Sequence, residues 1–200
     1  MEDGLTGFLS IMIGPMWSGK TSKLVEKYKQ CKLCGIPTLP INYSLDTRYG
    51  DEVISTHDER KIPCIMAKYL SDISNICDGE ITQAFKDAHV ILINEAQFFE
   101  DIKDWVICAI EEHHKRVYIC GLDGDHRRSK FGDVLELIPF CDEVIKLHSI
   151  CMACKKCPAI FTKRVVDNEK NMPLAGDISQ EQIVIGTDIY KPLCRKCYTN

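Results

Sequence analysis

No apolar run in this 200-residue chain approaches the roughly 20 residues of a membrane-spanning helix, so no membrane partner is expected. The first residues lack the charged start and long apolar core of a signal peptide, and a cytoplasmic protein is expected. Positive charge is not in excess either: 25 Lys and Arg face 29 Asp and Glu, giving a net charge of −4 and a pI near 5.9. Together with the lack of any basic tract interleaved with aromatics, this argues against nucleic acid as the main partner. Disorder is excluded by a 45% hydrophobic content, enough for one ordinary domain and a small appendage. Cysteine, by contrast, is abundant. In a cytoplasmic chain its C-x-x-C pairs point to metal rather than to disulfides.

The most informative stretch runs from Gly14 to Thr21, G-P-M-W-S-G-K-T, and satisfies the G-x-x-x-x-G-K-[ST] phosphate-binding loop at every required position. An apolar segment, Phe8 to Ile13, precedes it as a strand. A helical pattern from Thr21 to Cys34, with Leu24, Tyr28 and Cys31 on one side, follows it until Gly35 and Pro37. In that context the glycines let backbone N–H groups surround phosphate oxygens, Lys20 reaches the terminal phosphates and Thr21 offers a hydroxyl to Mg²⁺. Cys31 and Cys34 share a helix face and are expected to pack.

Leu39 to Tyr43 reads as a second strand, followed by Asp46-Thr-Arg-Tyr49 and a polar segment through His57, Asp58 and Arg60. Asp46 and Arg48 at a strand's C-terminal end can help hold Mg²⁺ and phosphate, or form a solvated turn; both readings stay open. Residues 70–88 read as a helix, with Ile73, Ile76, Ile81 and Phe85 apolar. His89 to Ile93 is an apolar strand ending in Asn94-Glu95, the Walker B arrangement of a carboxylate at a strand tip. Glu95 is the candidate general base, its alternative being a carboxylate that caps the next helix. Asp101 to His114 is an amphipathic helix whose terminal His113 and His114 read as solvated. Val117 to Gly121 is a strand, and a charged loop from Leu122 to Gly132 carries Arg127, Arg128 and Lys130, which approach phosphate or face solvent. Helical Leu135 to Phe140 and a strand at Val144 to Leu147 complete about five strands of an α/β sheet.

Composition changes at Cys151. Cys151-Met-Ala-Cys154 and Cys194-Arg-Lys-Cys197 form two knuckles about forty residues apart, with strand-like Ile160 to Val166 and Gln182 to Ile185 between them. Four thiolates suit tetrahedral Zn²⁺, and a closed four-cysteine site is structural because catalysis needs an open position. Cys157 is left over and is expected to pack.

The loop G-P-M-W-S-G-K-T, then D-T-R-Y, N-E-A-Q-F-F, L-D-G-D-H-R-R-S-K-F-G and the two knuckles, in this order over nearly the whole chain, resemble type II thymidine kinases of the cellular, bacterial and poxviral type. The resemblance implies a RecA-like P-loop domain with a mainly parallel sheet, residues 1–148, and a zinc-bearing, ribbon-like lasso domain, residues 149–200. It implies transfer of the γ-phosphoryl of ATP to the 5′-hydroxyl of thymidine, with deoxyuridine as a further acceptor, in a homotetramer inhibited by dTTP. Gly14, Pro15, Met16, Trp17, Ser18, Gly19, Lys20 and Thr21 would hold the triphosphate. Asp46, Arg48, Asn94 and Gln97 would lie beside Mg²⁺ and the transferring group, and Glu95 would accept the proton. Met16, Phe98, Phe131 and Thr162 match positions around the base, and Gln182, Ile183, Val184, Ile185 and Gly186 with Tyr190 resemble the lasso that reads thymine edges.

Three features depart from the pattern. Asn94 stands where most members carry Asp, which shifts Mg²⁺ toward Asp46 and Thr21. His126 occupies a usual Phe position against the nucleoside, keeping a stacking face but adding a hydrogen-bonding edge. The segment from Gly186 to Tyr190 is one residue shorter. The competing class is a RecA-like ATPase that remodels nucleic acid through its knuckles, against which the net acidity counts. A nucleotide-binding regulator without chemistry is a third, motivated by Asn94 and opposed by Lys20 and Glu95.

Overall fold

The computed structural model describes residues 6–46, 52–164 and 189–200. Strand β1 (Phe8–Ile13), helix α1 (Lys20–Leu33) and strand β2 (Thr38–Tyr43) come first. A hairpin of β3 (Val53–Ser55) and β4 (Lys61–Pro63) follows, then the short strand β5 (Ile65–Ala67). Two 3-10 turns and helix α2 (Gln83–Asp87) lead to β6 (Val90–Ile93), helix α3 (Ile102–Glu111), β7 (Arg116–Gly121) and β8 (Glu143–Lys146). The chain ends in β9 (Ser149–Ile150), β10 (Pro158–Ala159), β11 (Phe161–Arg164), β12 (Tyr190–Leu193) and helix α4 (Arg195–Thr199).

Six strands form one sheet in the order β5-β2-β6-β7-β1-β8, and every pairing in it is parallel. Parallel strands are joined by crossovers that cover both faces, which explains their uninterrupted apolar runs. Alternation within each run sorts side chains between two cores. Leu9, Ile11 and Ile13 of β1, Ile91 and Ile93 of β6, and Val117 and Ile119 of β7 face α3. Met12, Val90, Leu92, Tyr118 and Cys120 face α1 and the β3–β4 hairpin through Leu24, Val25, Cys31, Ile54 and Ile62. Each fully buried side chain of this size contributes about 1.5–3 kcal/mol. Because the strands are parallel, all their C-terminal ends meet at one edge, where the phosphate loop follows β1 and Asn94-Glu95 follows β6.

Residues 70–88 are not one helix. Only Gln83–Asp87 is α-helical; Leu70–Asp72 and Ile76–Asp78 are single 3-10 turns. Side chains capture backbone groups that a helical ladder would use. The Asp101 carboxylate accepts from Leu70 N–H at 3.1 Å and Ser71 N–H at 2.9 Å, and Ser74 O accepts from Trp105 Nε1 at 2.9 Å. Gly79, at φ 82, then ends the second turn. Residues 134–140 are 3-10 rather than α-helical, with Pro139 lacking an N–H inside the run. The sheet holds a sixth strand, β5, and the polar segment at residues 53–63 is a hairpin. Cys31 packs as expected, but Cys34 sits exposed at the helix C-cap, and Cys157 is exposed rather than packed. His114 is exposed, whereas His113 is half-buried against Phe85.

Beyond the sheet, β9 pairs with β10 and β11 with β12, both antiparallel. Cys151 and Cys154 follow β9, and Cys194 and Cys197 follow β12. Among the described residues their buried core is Cys151, Ala159, Leu193 and Cys194.

Candidate active site

The phosphate loop takes its shape from two glycines. Gly14 has φ +151, and a Cβ there would meet Leu147 O at 2.4 Å; Gly19, at φ +83, caps α1 in a left-handed conformation. Lys20 opens the helix, and its Nζ donates to Pro15 O at 2.7 Å, so the ammonium lies across the mouth of its own loop. The free N–H groups of a first helical turn and this cation make a site for an anion.

Opposite the loop stands the tip of β6. Asn94 is buried and fully engaged: its Nδ2 donates to Asn42 Oδ1 at 2.9 Å, and its Oδ1 accepts from Thr21 Oγ1 at 3.4 Å and Cys120 Sγ at 3.1 Å. Burial, then the nearby Glu95 charge, push the Cys120 thiol up to about 12, which keeps it a neutral donor. Glu95 adopts a left-handed conformation, φ 52 and ψ 41, which turns its side chain out of the strand and into the cleft. Gln97 steadies it, donating from Nε2 to Glu95 Oε2 at 2.7 Å while its Oε1 accepts from Leu122 N–H at 2.9 Å. Gly132 permits this closeness: at φ +61, a Cβ would lie 2.2 Å from Gln97 O.

The third wall is the 122–132 loop. Asp125 is buried, and its Oδ1 accepts from Arg127 N–H and Ser129 N–H, each at 2.8 Å, which fixes His126 on the cleft. Burial holds the His126 imidazole below its ordinary value, helped by Arg164 and Arg127 and opposed by Asp125, so it is neutral at neutral pH. Phe98 lies between Tyr43, stacked at 5.1 Å, and the edge of Phe131 at 5.4 Å, giving an apolar floor suited to a flat ring.

The cysteine-bearing strands complete the cleft. Thr162 is buried and its Oγ1 accepts from Met16 N–H at 3.0 Å, joining the phosphate loop to β11 across 146 positions of sequence. Tyr198 OH donates to His126 O at 2.6 Å, and the Arg128 guanidinium lies 4.7 Å from the Tyr198 ring. The Sγ atoms of Cys151, Cys154, Cys194 and Cys197 all lie within 4.8 Å of one another, with Cys154 and Cys194 at 3.9 Å. Thiolates around a tetrahedral ion with bonds near 2.3 Å stand about 3.8 Å apart, so the four could hold one metal ion. Burial raises Cys151, but the N–H groups of Cys154, Cys194 and Ala153 outweigh it and draw the thiol down to about 6.

Of the residues singled out from the sequence, Met16, Trp17, Ser18, Gly19, Lys20, Thr21 and Asp46 line one cleft with Asn94, Glu95, Gln97, Phe98, His126, Phe131, Thr162 and Tyr190. Gly14 and Pro15 are buried behind the loop. Arg48 and the segment Gln182, Ile183, Val184, Ile185 and Gly186 lie outside the described residues. Asn42, Thr56 and His57 also line the cleft and were not anticipated; His57 stacks on Trp17 at 3.8 Å. Only Asn42, a polar residue inside the apolar run of β2, carried a signal that could have flagged it.

Comparison with known proteins finds a family model described as thymidine kinase that matches residues 7–198. A thymidine kinase of Oryza sativa subsp. japonica is 36% identical over 193 residues, covering 96% of this chain and 66% of the rice protein. Thymidine kinases of vaccinia virus (strain Tian Tan) and of monkeypox virus are each 34% identical over 192 residues, covering 96% of this chain and 97% of theirs.

Proposed function

The chain belongs to the thymidine kinase family, and from that premise we propose that it moves the γ-phosphoryl of ATP to the 5′-hydroxyl of thymidine, forming dTMP for nucleotide salvage. The observation that carries the residue assignment is the shared cleft: Glu95 on the tip of β6 faces the same space as Lys20 and the loop from Met16 to Thr21. Phosphoryl transfer asks the protein for alignment and charge more than for covalent chemistry. Lys20 and the first-turn N–H groups bind the triphosphate. Glu95 takes the proton of the attacking hydroxyl, and the hydrogen bond from Gln97 holds its carboxylate in one orientation. Phe98 and Phe131 pack the base, with Thr162, His126 and Tyr190 at its edges. Deoxyuridine, which differs by one methyl, is a further acceptor.

Asp46 is buried in the cleft and Thr21 lies in the first turn of α1, so an oxygen donor set for Mg²⁺ is present, completed by phosphate oxygens. Bound Mg²⁺ supplies positive charge at the β- and γ-phosphates. Arg48 completes the charge around the transferring group in this reading, and residues 182–186 supply backbone contacts to the base. The tetrad Cys151, Cys154, Cys194 and Cys197 holds structural Zn²⁺, dividing the chain into a nucleotide domain at 1–148 and a zinc lobe at 149–200. Assembly as a homotetramer in the cytoplasm and inhibition by dTTP follow from the same reading.

The test is Glu95→Gln, assayed for labelled thymidine monophosphate and for ATP binding. Turnover should fall about 10²- to 10⁴-fold with ATP affinity retained. A near-normal rate would remove Glu95 from its role, and ATP hydrolysis without any nucleoside product would remove the kinase reading.

A further inference from the structure

At the C-terminal end of α3, on the edge of the sheet opposite the cleft, a second group of metal-ligating side chains converges. Cys108 Sγ, a carboxylate oxygen of Glu112 and a ring nitrogen of His113 all lie within 4.8 Å of one another. Their spacing follows from the helix. Cys108 and Glu112 are four residues apart on one face. Where the helix ends, His113 N–H reaches back to Cys108 O at 3.3 Å, and His114 at φ 52 turns the chain away. That last turn swings the His113 ring over the same face.

The surroundings are those of a built site. Cys108 is buried, and the His113 ring sits edge-on to Phe85 at 5.2 Å, which limits its rotation. Its Nε2 is buried with no hydrogen-bond partner among the described residues. A buried ring nitrogen normally has a partner. The exposed Cys77 stands outside this group, its Sγ 3.9 Å from Asp104 O.

We propose that Cys108, Glu112 and His113 form a second metal site for a thiophilic divalent cation of the Zn²⁺ class, with water as the fourth ligand. One imidazole, one carboxylate and one thiolate match zinc's donor preferences, whereas Mg²⁺ and Ca²⁺ do not take thiol ligands. Ligands of a tetrahedral ion with bonds of about 2.0–2.3 Å stand roughly 3.3–3.8 Å apart, a small contraction from the present spacing. Binding displaces the Cys108 thiol proton to solvent, and no oxidation or reduction occurs.

The experiment uses full-length protein loaded with Zn²⁺, desalted and measured for zinc per chain. Wild type should hold about two zinc ions, and Cys108→Ala and His113→Asn about one each, the remaining ion sitting in the tetrad. Co²⁺ in place of Zn²⁺ should show thiolate charge-transfer absorption that falls in Cys108→Ala. Neither variant touches the cleft, so thymidine turnover in both reports intact folding, while the metal count stands whether or not the kinase reading holds. About one zinc per wild-type chain would overturn the proposal. So would two that survive in both variants.

Discussion

The two walls of the cleft are held by different forces. The phosphate wall, residues 14–21, hangs between β1 and α1, with two large apolar clusters beneath it. The nucleoside wall is the 122–132 loop and the cysteine-bearing strands, whose buried core is four residues, two of them cysteines of the tetrad. Among the described residues so small a core offsets little of the conformational entropy of ordering loops, and structural metal sites commonly supply such a difference. One wall therefore rests on the fold, and the other draws on the metal ion proposed for its tetrad.

The largest expected break in that comparison comes from removing the metal. Chelation or Cys154→Ser should lower thymidine kcat/KM by more than about 100-fold, while Mg·ATP affinity changes less than about threefold. Parallel loss of both, measured by steady-state kinetics and nucleotide titration, would mean the walls are not independent. Gly132→Ala strikes the seam between them. The new Cβ meets Gln97 O at 2.2 Å in a left-handed backbone, so a cost of about 1–3 kcal/mol should appear in thermal melts, with turnover reduced more than ATP binding. Asn94→Asp acts on the phosphate wall alone. A carboxylate beside Thr21 should lower the Mg²⁺ concentration for half-maximal rate by about three- to tenfold, leaving thymidine KM unchanged; no shift would place the ion away from β6.

The smallest effect concerns pH. His126 is held below its ordinary 6.5, chiefly by burial. Its folded pKa lies below its unfolded one, so the unfolded chain binds the proton more readily, and stability from this group is lost as pH falls below 6.5. Thymidine KM should be flat above that pH and rise about two- to threefold on acidification, whereas His126→Phe should show no such rise.

The parts legible in the sequence were those whose residues carry the pattern locally. Strands β1, β2, β6 and β7 read correctly because burial on both faces leaves continuous apolar runs, and α3 because Ile102, Trp105, Val106, Ala109 and Ile110 keep helical spacing; the edge strand β8, largely exposed, was legible only from Val144 and Ile145. Residues 70–88 misled because the partners that break their helix, Asp101 and Trp105, lie about thirty positions away. The short β5 has only three residues to signal itself. At the site, the phosphate loop, the strand-tip carboxylate and the knuckles were readable as motifs. Contacts such as Met16 with Thr162 or Asn42 with Asn94 were not, because periodicity carries no information on which distant strand tips become neighbours.

Glu95 bears a cost that its chemistry conceals. A glutamate in the left-handed region gives up roughly 1–2 kcal/mol that Gly would not, and Asn would give up less. Thermal resistance and turnover therefore select opposite residues at this one position. A population of variants enriched only for surviving heat would drift toward glycine there, and its sturdiest members would be those without the carboxylate that the proposed transfer step uses.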